Sequence, residues 1–368
     1  MAKKILYLDG VTGLGEHEGD KWPYAKRYQV PSGDPNGVRN HIFKNEGRFY
    51  SDALGGDWGG SNYSYITPKD KSTGLYPWVQ AGGWMKQTDL SSYIILPYYF
   101  YRGPFSGSNW LAYSGYWLVY AETGQLYSQS GAEWSEPFTP IASNEWFWFE
   151  YRMYSHTSAG ILELRVNETA TKRWTGKISV YTSGVGVPTG EIGLNAAEFL
   201  FADYWSSSKN SKYDDLYVMF ADTEGELEWL GKSACEPLYV MGAGTDQECT
   251  PRGPSNFASV EFPVNDVLYV SAVADSEKDC YSYSNLETDR ERNIAGLKVT
   301  ARAKRNGVHT RKIRCYCRVS GTNYYGDTHY LSPEWREYIH IWAVNPNTGI
   351  AWTAEEVNNT QYGFERVA

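Results

Sequence analysis

Trp146-Phe147-Trp148-Phe149-Glu150-Tyr151-Arg152-Met153, preceded by Glu145, is the stretch on which the fold of this chain turns. Large aromatics occupy both faces of it, and Glu150 and Arg152 appear on one face toward its end. That pattern reads as a central strand of a face-to-face β-sandwich. Farther along, Leu162, Leu164 and Val166 alternate with Glu163, Arg165 and Asn167. This is the period of two of a strand with one buried and one wet face. A third segment, residues 212–220, follows the loop Ser206-Ser207-Ser208-Lys209-Asn210-Ser211 and sets Leu216, Val218 and Phe220 on one face. Three strands of this length imply a sizeable antiparallel sheet.

The rest of the chain extends the same theme. Its 368 residues are enough for two domains with separate cores, and 31 Tyr, 15 Trp, 13 Phe and 36 Gly favour many strands and tight turns. Residues 3–9 read as a first strand. Gly10-Val11-Thr12-Gly13-Leu14-Gly15 lacks both the Lys-Ser/Thr of a phosphate loop and the spacing of a dinucleotide fingerprint, so it reads as a turn. Residues 31–62 carry the Gly, Asn, Asp and Ser of long loops. Strands are expected at Tyr93–Arg102, Tyr116–Glu122, Lys177–Thr182 and Glu191–Leu194. Strand after strand without a helical period makes residues 1–222 a jelly roll or related sandwich.

The composition shifts at Ala221-Asp222-Thr223-Glu224-Gly225-Glu226, which places a domain boundary there and a smaller β-sandwich in 223–368. In that second half, Leu238–Met241 and Val267–Val273 read as strands. Gly296–Lys304 and Arg311–Val319 read as the arms of a hairpin around Asn306-Gly307. Such a hairpin buries a small-residue face and exposes a basic one bearing Lys298, Arg302, Lys304, Arg305, Arg311, Lys312, Arg314 and Arg318. Thr353 and Glu356 have capping-box spacing, predicting a short final helix.

Several functions are disfavoured by composition. A net charge of -9 argues against nucleic acid as the main partner. Without an apolar run of about 18 residues there is no membrane-inserted helix to expect. Met1–Asp9 lacks the apolar core and cleavage site of a signal peptide, so synthesis in a cytoplasm is expected. Five cysteines, Cys235, Cys249, Cys280, Cys315 and Cys317, do not form the even framework of a secreted domain. Cys315 and Cys317 share a face with Ile313 and Val319 and read as buried thiols. A single CxC makes no zinc site, and neither metal nor other cofactor is expected. Cys235, Cys249 and Cys280 are left to bridge if the protein works outside a cell.

Ile5-Leu6-Tyr7-Leu8-Asp9-Gly10, Lys21-Trp22, the Trp-rich strand, Leu162–Asn167 and Asp214–Val218 resemble a group of tailed-bacteriophage structural proteins. These carry a concanavalin A-like lectin/glucanase (laminin G-like) domain. Tyr324–Gly326, Tyr338, Trp342, Asn345-Pro346-Asn347-Thr348-Gly349, Trp352-Thr353 and Val357-Asn358 are similar to the module that follows it. The resemblance implies a virion component: a head decoration, a collar or whisker, or part of a tail fibre. It further implies a homo-oligomer, a trimer being one arrangement, docked onto capsid, neck or tail proteins. Val11-Thr12-Gly13 departs from the aromatic-rich opening usual in the group.

The rival is a carbohydrate-binding or glycan-degrading receptor-binding protein on the same scaffold. Glycosidases need two carboxylates flanking the scissile bond, about 5–5.5 Å apart in a retaining mechanism. Glu224, Glu226 and Glu228 alternate but fall in the interdomain connection, where a solvated acidic linker is the reading. Glu150 and Glu163, each with a basic neighbour at i+2, suit a charged outer sheet face. Six scattered histidines form no HExxH and no evident Ser-His-Asp set. Asp214-Asp215 offers carboxylate oxygens to a calcium site that would need several more ligands from neighbouring loops, the other reading being a strand-entry pair with one member in water. For glycan contact, Trp58, Trp84, Trp110 and Trp205 lie near Gly- or Ser-rich stretches. For docking, the basic hairpin face is the expectation, and reversing Arg302 and Arg314 to Glu should weaken assembly while leaving the fold intact.

Overall fold

A computed structural model describes residues 211–261, 267–286 and 293–368 continuously. Of the preceding chain it describes 75–87, 144–156, 158–168 and 172–176, with Ala142, Gly190, Leu194 and the strands given below. The chain divides into two compact units, the second of which takes Glu236–Ala368.

Among the described residues, the first unit holds antiparallel sheets of eight and six strands. The larger contains β1 (Lys4–Asp9), β2 (Ile42–Phe43), β3 (Ala53–Gly56), β4 (Trp78–Gln87), β5 (Trp146–Tyr154), β6 (Gly160–Val166), β7 (Lys172–Gly176) and β8 (Ser211–Ala221). Their order is β7-β6-β5-β4-β8-β3-β2, with β1 also paired to β8. The aromatic stretch is thus an interior strand, as its two-faced apolarity requires. The smaller sheet orders Val180–Tyr181, Ala112–Gly115, Tyr98–Arg102, Ala196–Leu200, Tyr65–Pro68 and Tyr28–Gln29. The expected strands at 93–102 and 177–182 appear in it in shortened form, as Tyr98–Arg102 and Val180–Tyr181, and that at 116–122 as Val119–Tyr120 in a separate pair with Leu126–Tyr127. Leu194 bridges to Tyr76. Residues 10–15 lie outside the described ones.

On one face of the large sheet Phe149, Met153, Leu162, Leu164, Val218 and Phe220 are buried and form an apolar layer. Burying each such side chain stabilises by about 1.5–3 kcal/mol. The opposite face was expected to be wet, and it is not. Glu150, Gln80, Arg152 and Glu163 are buried there as well, because the chain after β8 returns across it. That segment, Asp222–Cys235, belongs to the first unit, so the division falls at Cys235/Glu236 rather than at 222/223.

The second unit is built on β9 (Val240–Gln247), β10 (Lys278–Tyr283), β11 (Leu297–Ala303), β12 (Lys312–Val319), β13 (Thr322–Tyr330), β14 (Arg336–Trp342), α1 (Ala354–Asn358) and β15 (Gln361–Val367). Five of these strands make a sheet ordered β9-β10-β15-β12-β13, and β11 pairs with β14. Between them lies a core of Val299, Cys315, Cys317, Val319, Trp342, Trp352, Val357 and Tyr362. The unit is a small sandwich, and its cysteines Cys249, Cys280, Cys315 and Cys317 are free thiols, as is Cys235 at the end of the first unit. Burial pushes the pKa of Cys315 and Cys317 up to about 12, which keeps both protonated and unreactive at neutral pH.

The expected β11–β12 hairpin does not form. β11 pairs along its whole length with β14, from Leu297 opposite Trp342 to Ala303 opposite Arg336. β12 pairs with β15 and β13 instead. Both arms alternate with the same period, so periodicity alone could not choose their partners. Eight residues separate the strands (304–311), too many for Asn306-Gly307 to act as a two-residue turn. The tight hairpin turn is Ser320-Gly321, both with positive φ (49° and 84°), joining β12 to β13. The final helix has its predicted cap: the Glu356 amide donates to Thr353 Oγ1 (3.2 Å) and the Thr353 amide to Glu356 Oε2 (2.9 Å). Thr353→Ala should lower the stability of this unit by about 1 kcal/mol, read as a shift in its urea midpoint.

Candidate functional site

The densest chemistry among the described residues lies on the polar face of β4, β5, β6 and β8. Glu150 stands opposite Arg165, and Arg152 opposite Glu163, in the β5–β6 ladder. Gly82 of β4 lies between Glu150 and Tyr217 in register. A Cβ on Gly82 would sit 2.6 Å from the Tyr217 ring and 2.7 Å from the Phe149 carbonyl oxygen. The missing side chain is what lets the phenol cross the sheet. Tyr217 then donates to Glu150 Oε1 at 2.7 Å and accepts from Gln80 Nε2 at 2.9 Å.

The returning segment closes this face with its backbone. The Leu230 amide donates to Glu150 Oε1 (2.7 Å) and the Gly231 amide to Oε2 (3.2 Å). Arg152 donates to the Leu227 carbonyl (3.0 Å), Gln80 to that of Glu228 (2.7 Å), and Trp84 Nε1 to that of Ser233 (2.8 Å). The indole of Trp229 lies under two guanidiniums, 4.4 Å from Arg152 and 5.2 Å from Arg165. Cys235 ends the crossing by donating its amide to Asp215 Oδ1 at 2.8 Å. Asp215 sits in a bulge of β8 with φ of 49°, its own amide bonded to Asp214 Oδ1 (2.8 Å). Backbone amides therefore occupy the aspartate pair. Among the described residues no group of three or more His, Cys, Asp or Glu is placed to hold a metal ion.

The acidic triplet is not a free linker. Glu224 approaches Arg173 (3.4 Å) and Arg152 (3.9 Å), and Glu226 Oε2 accepts the Asp222 amide (3.0 Å). Only Glu228 is exposed, and its carbonyl serves the sheet. Glu163 is held by Arg173 at 2.7 Å and by Arg152 at 3.7 Å. Among the described residues of this face, the two carboxylates on the sheet itself, Glu150 and Glu163, are buried and held by protein donors.

Burial raises the pKa of Glu150 above its ordinary value, more than its bonds to Tyr217 and Leu230 lower it. A carboxyl whose pKa is higher folded than unfolded stabilises below its unfolded pKa and loses that contribution as pH rises through the folded one. Glu150→Gln should therefore gain on the wild type as the pH is raised from 4 to 8. Paired urea titrations at those two pH values check this, and a constant gap would contradict it.

Trp84 is 8% exposed, on the central strand β4 rather than a loop, with its ring edge-on to Trp148 at 5.4 Å. It offers no face to a sugar. Trp58, Trp110 and Trp205 lie outside the described residues. Of the eight predicted cations, five fall on strands of two different sheets and three on the connection between those strands. Lys298 and Arg302 belong to β11, with Arg302 opposite Glu337; Lys304, Arg305 and Arg311 follow in the connection; Lys312, Arg314 and Arg318 belong to β12. Arg314 binds Glu365 (2.7 Å) and lies 3.7 Å from the Tyr325 ring centre, while Arg318 donates to Asn323 Oδ1 (2.9 Å). Arg314→Glu would thus set two carboxylates together and disturb the sheet, contrary to the expectation of an intact fold.

Sequence reasoning missed Trp229, Gln80 and Tyr217. Trp229 follows the acidic triplet and looked like part of its linker. A tryptophan set in so charged a segment was the available signal that something covers it.

No family model matches the chain, and no curated protein matches it. Solved structures similar to it are concanavalin A-like lectin and glucanase domains. The metal-free carbohydrate recognition domain of Emp46p is 11% identical, with TM-score 0.34, over 58% of this chain and 95% of that one. Peanut lectin is 6% identical, with TM-score 0.32, over 60% and 98%. Endo-1,3-beta-glucanase from Streptomyces sioyaensis is 11% identical, with TM-score 0.34, over 59% and 96%. Likeness at this level carries no argument about activity.

Proposed function

We propose that the chain is a non-enzymatic surface protein that binds carbohydrate without cleaving it. The reading rests on one contrast. Glu150 is fully buried and both its oxygens are taken, whereas Tyr325 and Tyr330 of the second unit stand 39% and 70% exposed, each beside a cation. Hydrolysis needs carboxylates open to substrate. Carbohydrate binding needs open rings and polar neighbours, and the second unit has both. The dispersal of the eight cations over two sheets and the connection between them favours this over a single protein-docking face.

The resemblance in residues 324–358 supplies the setting: a tailed-phage virion component, made in the host cytoplasm, homo-oligomeric and docked on other virion proteins, that meets a host-surface glycan. The test is a glycan array probed with the intact chain, alongside assays for released reducing sugar on every bound glycan. Binding without release is expected; release abolished by Glu150→Gln would overturn the non-enzymatic reading. Mass spectrometry of purified particles tests the setting, and absence of the chain from them would remove it.

A further inference from the structure

On the second unit, two rings and three cations from four separate segments meet. Trp335 and Lys304 lie one step beyond the last β11–β14 pair, Ala303 opposite Arg336. Lys304 Nζ lies 4.8 Å from the Trp335 ring centre and the Arg302 guanidinium 5.8 Å from it. Tyr269 meets Trp335 edge to face, with centres 5.8 Å apart and planes at 64°. Arg252 donates to the Tyr269 hydroxyl at 2.7 Å and lies 5.2 Å from that ring's centre. Arg252 and Lys304 are exposed; Arg302, Tyr269 and Trp335 are half-buried.

We propose that this corner is a binding site for an acidic polysaccharide, one whose sugars carry carboxylates. The inference rests on the carbohydrate-binding reading and gives it a place and a ligand class. Aromatic faces pack against the C–H face of a sugar ring, and guanidinium and ammonium groups take its carboxylate. Two rings set at a steep angle, with cations at both ends, suit successive residues of a polymer better than one small anion. The cluster is also local against a chain of net charge -9, which repels polyanions in general. Of the acids nearby among the described residues, Glu337 stands opposite Arg302 and Glu334 precedes Trp335. Neither matches the positive charge contributed by Arg252 and Lys304. A bare polyanion site would have no use for the aromatic corner, and a neutral-sugar site would have none for three cations.

The experiment is isothermal titration of the intact chain with polygalacturonate, dextran and poly-L-glutamate at low salt, repeated at 0.5 M salt. Polygalacturonate should bind, weaken steeply with salt, and lose at least about tenfold in affinity with either Trp335→Ala or Lys304→Gln. Lys304→Gln sits on the surface and keeps the packing, so its loss cannot be put down to misfolding. Equal binding of poly-L-glutamate with no effect of Trp335→Ala would reduce the site to a charge patch and overturn the proposal. Binding of dextran alone, unaffected by both variants, would overturn it while leaving carbohydrate binding standing. Binding of no glycan, here or on the array, would sink both.

Discussion

Arg152→Ala should destabilise the first unit by about 3–5 kcal/mol, the cost of breaking a buried ion pair from one side. The guanidinium is 9% exposed at its side chain and works in three directions. It faces Glu163 in the sheet, donates to the Leu227 carbonyl of the crossing segment, and lies against the Trp229 indole. Removing it leaves a buried carbonyl without its donor and Glu163 dependent on Arg173 alone. Arg173 is 45% exposed, and Arg173→Ala should cost well under about 1 kcal/mol, as solvent-screened pairs do. The comparison separates a role in closure from mere surface charge. It is read by urea denaturation followed through tryptophan fluorescence, to which Trp229 itself reports. Equal effects of the two substitutions would mean that the segment is not held by Arg152.

Gly363→Ala should cost the second unit about 3 kcal/mol or more. Gly363 lies in β15 between Tyr316 of β12 and Cys280 of β10. A Cβ there would collide with the backbone carbonyl oxygen of Asp279 and come within 2.8 Å of the Cys280 Cα. Backbone in the middle of a sheet cannot move aside as a side chain can. Gly242→Ala is the control: its nearest atom is the Ser282 hydroxyl at 2.9 Å, which rotates away. Thiol labelling gives a direct readout, since Cys280, Cys315 and Cys317 are all buried. Gly363→Ala should speed their labelling severalfold, and Gly242→Ala should leave it near the wild-type rate.

Much of the architecture was legible in the sequence. Residues 146–154 carry aromatics on both sides and became an interior strand; Thr353 and Glu356 stood at capping distance and became a cap. What failed to show was pairing across distance. The alternation of 297–303 and 312–319 defines two strands and says nothing about which neighbour each takes. The partner of the first proved to be 336–342, where Tyr338 and Trp342 supply aromatic area to bury. The candidate site was hidden for a related reason. Glu150, Arg152, Glu163 and Arg165 form the polar half of an ordinary amphipathic pattern, and only the fold reveals that 222–235 lies over them. Trp84 shows the converse, since a residue preceded by two glycines in sequence need not be on a loop.

The pairing of β1 with β8 joins Lys4 to Phe220 and Asp9 to Leu216. Translation proceeds from one of these strands to the other at roughly 5–20 residues per second, so β1 leaves the ribosome some 10–45 s before its partner. For that interval the strand Lys4-Ile5-Leu6-Tyr7-Leu8-Asp9 is an orphan edge, apolar and ready to pair with any nascent neighbour. The chain is therefore most exposed to misassociation on crowded polysomes, early in its life. Slower expression at lower temperature should raise its soluble yield more than any change to the finished surface.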